Sequence, residues 1–142
     1  MKSVITFIAV LSFLIVNGQK TYVPDDAFEN YLETYSMGDG IANNDSVLTA
    51  KINHITSFVT GIYSLGISDL TGIEDFTSLI VLDCGDNQLT SLDVSQNTYL
   101  TTLWCDNNQL TSLDVSQNTN LTKLFCGNNQ LTSLDVSQNT AL

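Results

Sequence analysis

The stretch LIVLDCGDNQLTSLDVSQNTY, Leu79 to Tyr99, decides the fold because it returns twice. It reappears as LTTLWCDNNQLTSLDVSQNTN over 100–120 and as LTKLFCGNNQLTSLDVSQNTA over 121–141. Leu79, Leu100, Leu121 and Leu142 therefore mark a step of 21 residues. Self-similarity at a period of this length means a solenoid, in which each unit is too small to bury its own apolar face and stacks on the next.

Within each unit Leu82 and Cys84 alternate with positions of other character, as do Leu103 and Cys105, and Leu124 and Cys126. That is strand periodicity, with two side chains per unit pointing inward. Stacking then lays the strands side by side in a parallel sheet. Leu89, Leu92 and Val94 turn inward from the far side of the coil, as do Leu110, Leu113, Val115 and Leu131, Leu134, Val136. After each strand stands Asn87, Asn108 or Asn129. A side-chain amide there is expected to donate to carbonyls of the neighbouring coil and to accept from its own turn, forming a structural ladder. A second asparagine column, Asn97, Asn118 and Asn139, falls in the S-Q-N-T turn. The cysteine column asks for a small hydrophobe at one inward position, and a buried reduced thiol serves. A disulfide between neighbouring strands stays open on distance alone. A metal lacks a fourth thiolate or a histidine to complete a tetrahedron.

The pattern L-x-x-L-x-C-x-x-N-x-L resembles the leucine-rich repeat, with Cys where a third Leu often stands. The expected fold is an α/β leucine-rich-repeat solenoid. It has a curved parallel β-sheet on the concave face, short turns or 3-10 segments on the convex face and a small helical N-terminal cap. Three 21-residue repeats plus the start of a fourth occupy 79–142.

Outward from the repeats the periodicity loosens. Residues 55–78 read as an irregular first repeat, since Ile67 and Leu70 align with Leu89 and Leu92 at 22 residues. The spacing Leu70, Ile73, Phe76, Leu79 predicts a short helical turn on the outer face. Its strand lies near Ile55 to Ile62, and both Ile55-x-x-Phe58 and Phe58-x-x-x-Ile62 remain open as its register. Residues 19–54 form the N-terminal cap, with a helix near 25–35. Pro24 precedes it, Asp25 or Asp26 caps it, and Asp26-x-x-Glu29 has capping-box spacing. Phe28, Tyr31, Leu32 and Tyr35 fall on one face, suited to covering the open end of a solenoid. Within Gly38 to Asp45, Asp39, Asn43 and Asp45 are a calcium candidate, but no glutamate closes the loop and an ordinary polar turn is the simpler reading.

Residues 1–18 read as a signal peptide: Lys2, an apolar run from Val4 to Val16, then Asn17-Gly18 before cleavage ahead of Gln19. A run of 13 residues is too short to span a membrane comfortably. Beyond it, Lys20, Lys51 and Lys123 stand against 15 acidic residues, a net charge of −12. Such a surface disfavours nucleic acid and anionic membranes.

TYVPDDAFENYLE (21–33), GISDLTGIEDFTSL (66–79) and LDCGDNQLTSLDVSQNT (82–98) together resemble exported leucine-rich-repeat proteins of the Bacteroidetes type, with internalin-like short repeats. The resemblance implies export to the outside or the outer cell surface and recognition of a protein or a glycan. Members often carry a C-terminal sorting domain. This chain stops at Leu142 without one and without a C-terminal cap, so a fragment, and self-association through the open end, are expected.

Function belongs where the repeats differ. Between the inward positions, three columns face the concave surface: Val81, Thr102, Lys123; Asp83, Trp104, Phe125; and Gly85, Asp106, Gly127. Trp104 beside Phe125 is either a recognition patch or cross-strand packing that steadies the sheet. Catalysis is not expected. His54 is the lone histidine, and Asp93, Asp114 and Asp135 recur as turn residues; no nucleophile–base pair, phosphate loop or cofactor motif is visible. The expected function is a scaffold for recognition or adhesion. The alternative is a targeting or spacer domain of a larger exported enzyme.

Overall fold

The computed structural model describes residues 18–58 and 61–142. The expected signal peptide lies, but for Gly18, outside the described residues.

Four parallel strands form the main sheet: β3 (Ser57–Phe58), β4 (Val81–Asp83), β5 (Thr102–Trp104) and β6 (Lys123–Phe125), in that order. The register is one repeat per strand, with Leu82 opposite Leu103 and Leu103 opposite Leu124. Leu79, Leu82, Cys84, Leu89 and Val94 are fully buried, as are their counterparts Leu100, Leu103, Cys105, Leu110 and Val115. Each such leucine contributes about 1.5–3 kcal/mol relative to exposure. In the coil of β6 the same positions recur without the same burial. Leu124, Leu131 and Leu134 are only partly buried and Val136 is exposed, since no further coil covers them among the described residues.

The first repeat resolves its own register. Phe58 pairs with Leu82, an offset of 24 residues. Ile62, however, stands where Cys84 does. Asn87 Nδ2 donates to the Ile62 carbonyl as Asn108 Nδ2 donates to that of Cys84. Phe58 and Ile62 therefore both point inward, and two extra residues separate them relative to the later repeats. Of the two registers open in the sequence, the structure takes Phe58-x-x-x-Ile62, and Ile55 is only partly buried. On the outer side, the turn expected around Ile73 is a 3-10 helix over Ile73–Asp75.

After each strand the chain reverses through a left-handed residue: Ser64, Asp86, Asn107 and Asn128 have φ of 56°, 51°, 53° and 51°. Asp and Asn tolerate this region better than most residues, which accounts for that column.

Ahead of the repeats, helix α1 (Asp26–Thr34) has Asp25 as its N-cap, accepting from the Ala27 and Phe28 N–H groups. The Asp26–Glu29 capping box does not form. Glu29 is buried and accepts instead from the backbone N–H groups of Asn44 and Asp45, closing the polar loop onto the helix. Phe28 and Leu32 are buried, while Tyr35 follows the helix at 62% exposure and packs on Tyr31 at 4.6 Å. The cap also contains an antiparallel pair, β1 (Lys20–Tyr22) and β2 (Ser46–Leu48), and helix α2 (Thr49–Ile52), none of which the sequence pattern marks. At three or four residues each, they carry too little periodicity to register.

This segment is joined to the first repeat by contacts that occur once. The Phe28 ring meets Phe58 and Phe76 at 6.4 and 6.1 Å. The second Asp25 oxygen accepts from Ser68 N–H, Ser68 Oγ and Asp69 N–H. The Thr21 hydroxyl donates to Asp75 at 2.6 Å. Gly72, with φ of 103°, lets the chain pass: a Cβ there would lie 2.6 Å from the Tyr22 carbonyl.

Candidate functional site

Strand alternation sends Leu82, Leu103 and Leu124 inward, so their neighbours project from the other face of the sheet. Trp104 and Phe125 are direct cross-strand partners on that face, stacked at 5.8 Å with rings inclined by 16°. Trp104 is half-buried and Phe125 is 49% exposed. Asp83 is the next partner in the same column. The column of Val81, Thr102 and Lys123 is less uniform than expected. Lys123 is exposed, Val81 is half-buried and Thr102 is only 7% exposed.

The third column acquires a member that sequence reasoning missed. With Ile62 in the Cys84 position, Tyr63 stands level with Gly85, and the Ser64 N–H donates to the Gly85 carbonyl at 3.1 Å. The column therefore runs Tyr63, Gly85, Asp106, Gly127. Gly85 is itself buried beneath its neighbours: a Cβ there would touch Asp83 Oδ1, Asp106 Oδ1 and the Tyr63 ring, each at 3.4 Å. The Tyr63 hydroxyl donates to Asp86. That hydrogen bond, and the nearby charges of Asp86, Asp106 and Asp83, push the phenol above its ordinary range. Three carboxylates thus gather about Tyr63, and one of them, Asp83, is also the cross-strand partner of Trp104. Tyr63 was hidden because its register depends on where the first repeat takes up its extra residues.

Beneath this face lie the ladders. Asn108 Nδ2 donates to the carbonyls of Cys84, Cys105 and Asp106, spanning the preceding coil and its own turn. Asn87 and Asn129 do the same in their coils. Contrary to the expectation that they accept from their own turns, their Oδ1 atoms accept from the preceding coil. Asn87 takes Leu65 and Ile67 N–H, Asn108 takes Leu89 N–H and Asn129 takes Leu110 N–H. Each amide therefore clamps two coils with both of its ends. The second column, Asn97, Asn118 and Asn139, donates to paired carbonyls of the preceding coil, such as Val94 and Asn97 for Asn118.

Cys84, Cys105 and Cys126 are free thiols, the first two buried and the third partly so. Burial, with the neighbouring Cys105 and Asp83, raises Cys84 well above the ordinary thiol range. Burial, with Cys126 and Asp106, pushes Cys105 up to about 12. Protonated thiols at neutral pH are poor nucleophiles and poor metal ligands. The repeated acids Asp93, Asp114 and Asp135 accept from the Ser95, Ser116 and Ser137 N–H groups, and those bonds hold their carboxyls below the ordinary value.

The calcium candidate is divided. Asp39 is paired with Lys20 at 2.7 Å and also accepts from Ile41 N–H and Asn44 Nδ2. Asp45 lies instead with Asp26 and Glu29, their carboxylate oxygens within 4.8 Å of one another. Two of Glu29's hydrogen bonds already tie the loop backbone to α1.

No helix among the described residues is long and apolar enough to cross a membrane. Residues 77–118 and 98–139 match the family described as Leucine Rich repeats (2 copies). No curated protein matches the chain. Among solved structures, the functional domain of InlJ from Listeria monocytogenes, described as including a cysteine ladder, is similar at 41% identity and a TM-score of 0.75. That match covers 88% of this chain and 28% of the other. The internalin InlF of Listeria monocytogenes shares the fold at 24% identity and a TM-score of 0.70, over 84% of this chain and 34% of its own. The chain thus spans about a third or less of either structure. Residues 77–139 are leucine-rich repeats, stacked in the fold that these internalin structures share.

Proposed function

We propose that this chain is an exported, non-catalytic recognition module that binds a protein or a glycan through the sheet face carrying Trp104 and Phe125. The observation that carries the reading is the aromatic pair itself. It falls at positions where the repeats diverge, and it stacks two large aromatic rings on the outward face of the sheet. Large aromatics of this kind dominate binding energy in protein interfaces and stack on sugar faces. The resemblance to internalin structures supports a scaffold used for recognition. The run Val4 to Val16 supports export and a place outside the cell or on its surface. Under this reading the face is the concave side of a curved solenoid, and α1 covers the first coil through Phe28.

The test is capture from panels of purified surface proteins and glycans, with a Trp104→Ala, Phe125→Ala double variant whose fold is checked by circular dichroism. A ligand held by the parent and lost by the folded variant supports the reading. A ligand held equally by both removes the aromatic face from it, and silence from both favours a spacer.

A further inference from the structure

We infer that the occupant of this face is a basic side chain, an arginine or lysine projected from a loop of a partner protein. The inference rests on the recognition reading above and names what that surface takes. Tyr63 is 44% exposed, the carboxylates of Asp83, Asp106 and Asp86 lie about it, and Asp83 is the cross-strand partner of Trp104, which stacks on Phe125. The arrangement depends on Gly85, which has no side chain to fill the ground where Asp83, Asp106 and Tyr63 converge.

The chemistry suits a cation on several counts. Guanidinium and ammonium groups are attracted to the faces of Trp, Tyr and Phe, and the planar guanidinium also stacks on them. Carboxylates alongside accept its N–H groups in charge-assisted bonds. An apolar loop would bury these carboxylates, which accept from the Gly85 N–H, the Tyr63 hydroxyl and Asn107 Nδ2, without supplying a positive charge, which is costly. A chain of net charge −11 also steers a basic partner inward from a distance. The one basic residue on these strands, Lys123, stands two residues before Phe125, at the end of the face away from Asp106. The face is therefore polar along the strands, which orients a partner whose basic group lies over Asp106.

Trp104 is the only tryptophan, so its fluorescence reports on this face alone. The full chain is titrated with a hexa-arginine peptide at low salt, with hexaserine as the neutral control. The same titration is run on Asp106→Asn and on Asp114→Asn, which lies ten residues beyond Trp104 in the same coil and makes a turn bond to Ser116. Both substitutions remove one negative charge, so they separate a local site from general attraction. The expected result is a saturable change in Trp104 emission with hexa-arginine and none with hexaserine. Asp106→Asn is expected to weaken binding at least about fivefold, and Asp114→Asn less than about twofold. Equal effects of the two variants, or no response of Trp104, overturn the proposal. If Asp106→Asn fails to fold by circular dichroism, Tyr63→Phe with Asp86→Asn replaces it under the same criteria. A panel ligand that needs Trp104 and Phe125 but is indifferent to Asp106→Asn would leave the recognition reading standing and remove the basic occupant. If no panel ligand and no hexa-arginine binding depends on Trp104 and Phe125, both readings fall.

Discussion

The junction between α1 and the first repeat and the stack of repeats behind it are built on different principles. In the stack every contact recurs. The asparagine clamp at Asn87 is made again at Asn108 and Asn129, and Leu82 is followed by Leu103 and Leu124. At the junction nothing recurs. The Phe28, Phe58 and Phe76 rings, the Asp25 bonds to residues 68 and 69, and the Thr21–Asp75 bond each occur once. A repetitive stack distributes its stability over nearest neighbours, whereas a unique junction concentrates it in a few groups. The candidate site draws on both, with Tyr63 from the coil of β3 and Trp104 and Phe125 from the regular stack.

The sharpest way to break this comparison is Phe28→Ala. It removes a fully buried ring with two aromatic neighbours and is expected to cost about 3–5 kcal/mol, read as a fall in the denaturation midpoint. A cost below about 1 kcal/mol would mean that the junction does not concentrate stability in this ring.

Next come Asn108→Ala and Asn129→Ala, compared in the same denaturation experiment. Asn108 is buried, and its loss strands the Leu89 N–H and the Cys84 and Cys105 carbonyls, for about 2–3 kcal/mol. Asn129 makes the equivalent bonds but is partly exposed, so water can replace them and the cost is expected to be about half as large. Equal losses would show that the clamp acts through geometry alone.

The smallest effect concerns Asp25. Burial raises its carboxyl, but the hydrogen bonds from Ser68, Phe28 and Asp69 outweigh this and hold it below its ordinary value of 3.8. A carboxyl depressed in the folded state stabilises that state fully above the unfolded pKa. The contribution is lost as pH falls below about 4 and through the folded value. Asp25→Ala is expected to cost about 1 kcal/mol at neutral pH and nothing further below that range. Thermal unfolding of parent and variant at neutral and acid pH checks this: the two curves should converge in acid.

The regular part of the molecule was legible because a 21-residue period prints every contact several times. Inward leucines, strand positions and both asparagine columns could be read from LTSLDVSQNT and its neighbours. The direction of the amide oxygens was not, since donating and accepting partners differ only in which coil they belong to. The junction was harder. Asp25 and Asp26 are both good caps in sequence, and only the approach of Ser68 and Asp69, 43 and 44 residues away, selects Asp25. Of the candidate site, Trp104, Phe125 and Asp83 stood out as breaks in the repeat. Tyr63 and Asp86 did not, because Tyr63 gains its place from an irregular register and Asp86 has the character of an ordinary turn residue.

By itself, the sequence determined the stacked repeat, its inward columns and the variable aromatic pair, since these follow from local periodicity multiplied by the number of coils. Tertiary structure alone decided where the first repeat takes up its two extra residues, and hence that Tyr63 meets Asp83 and Asp106 over Gly85. That choice compares whole packings of Phe58 and Ile62 against the next coil. No local propensity distinguishes them until the neighbouring coil is in place.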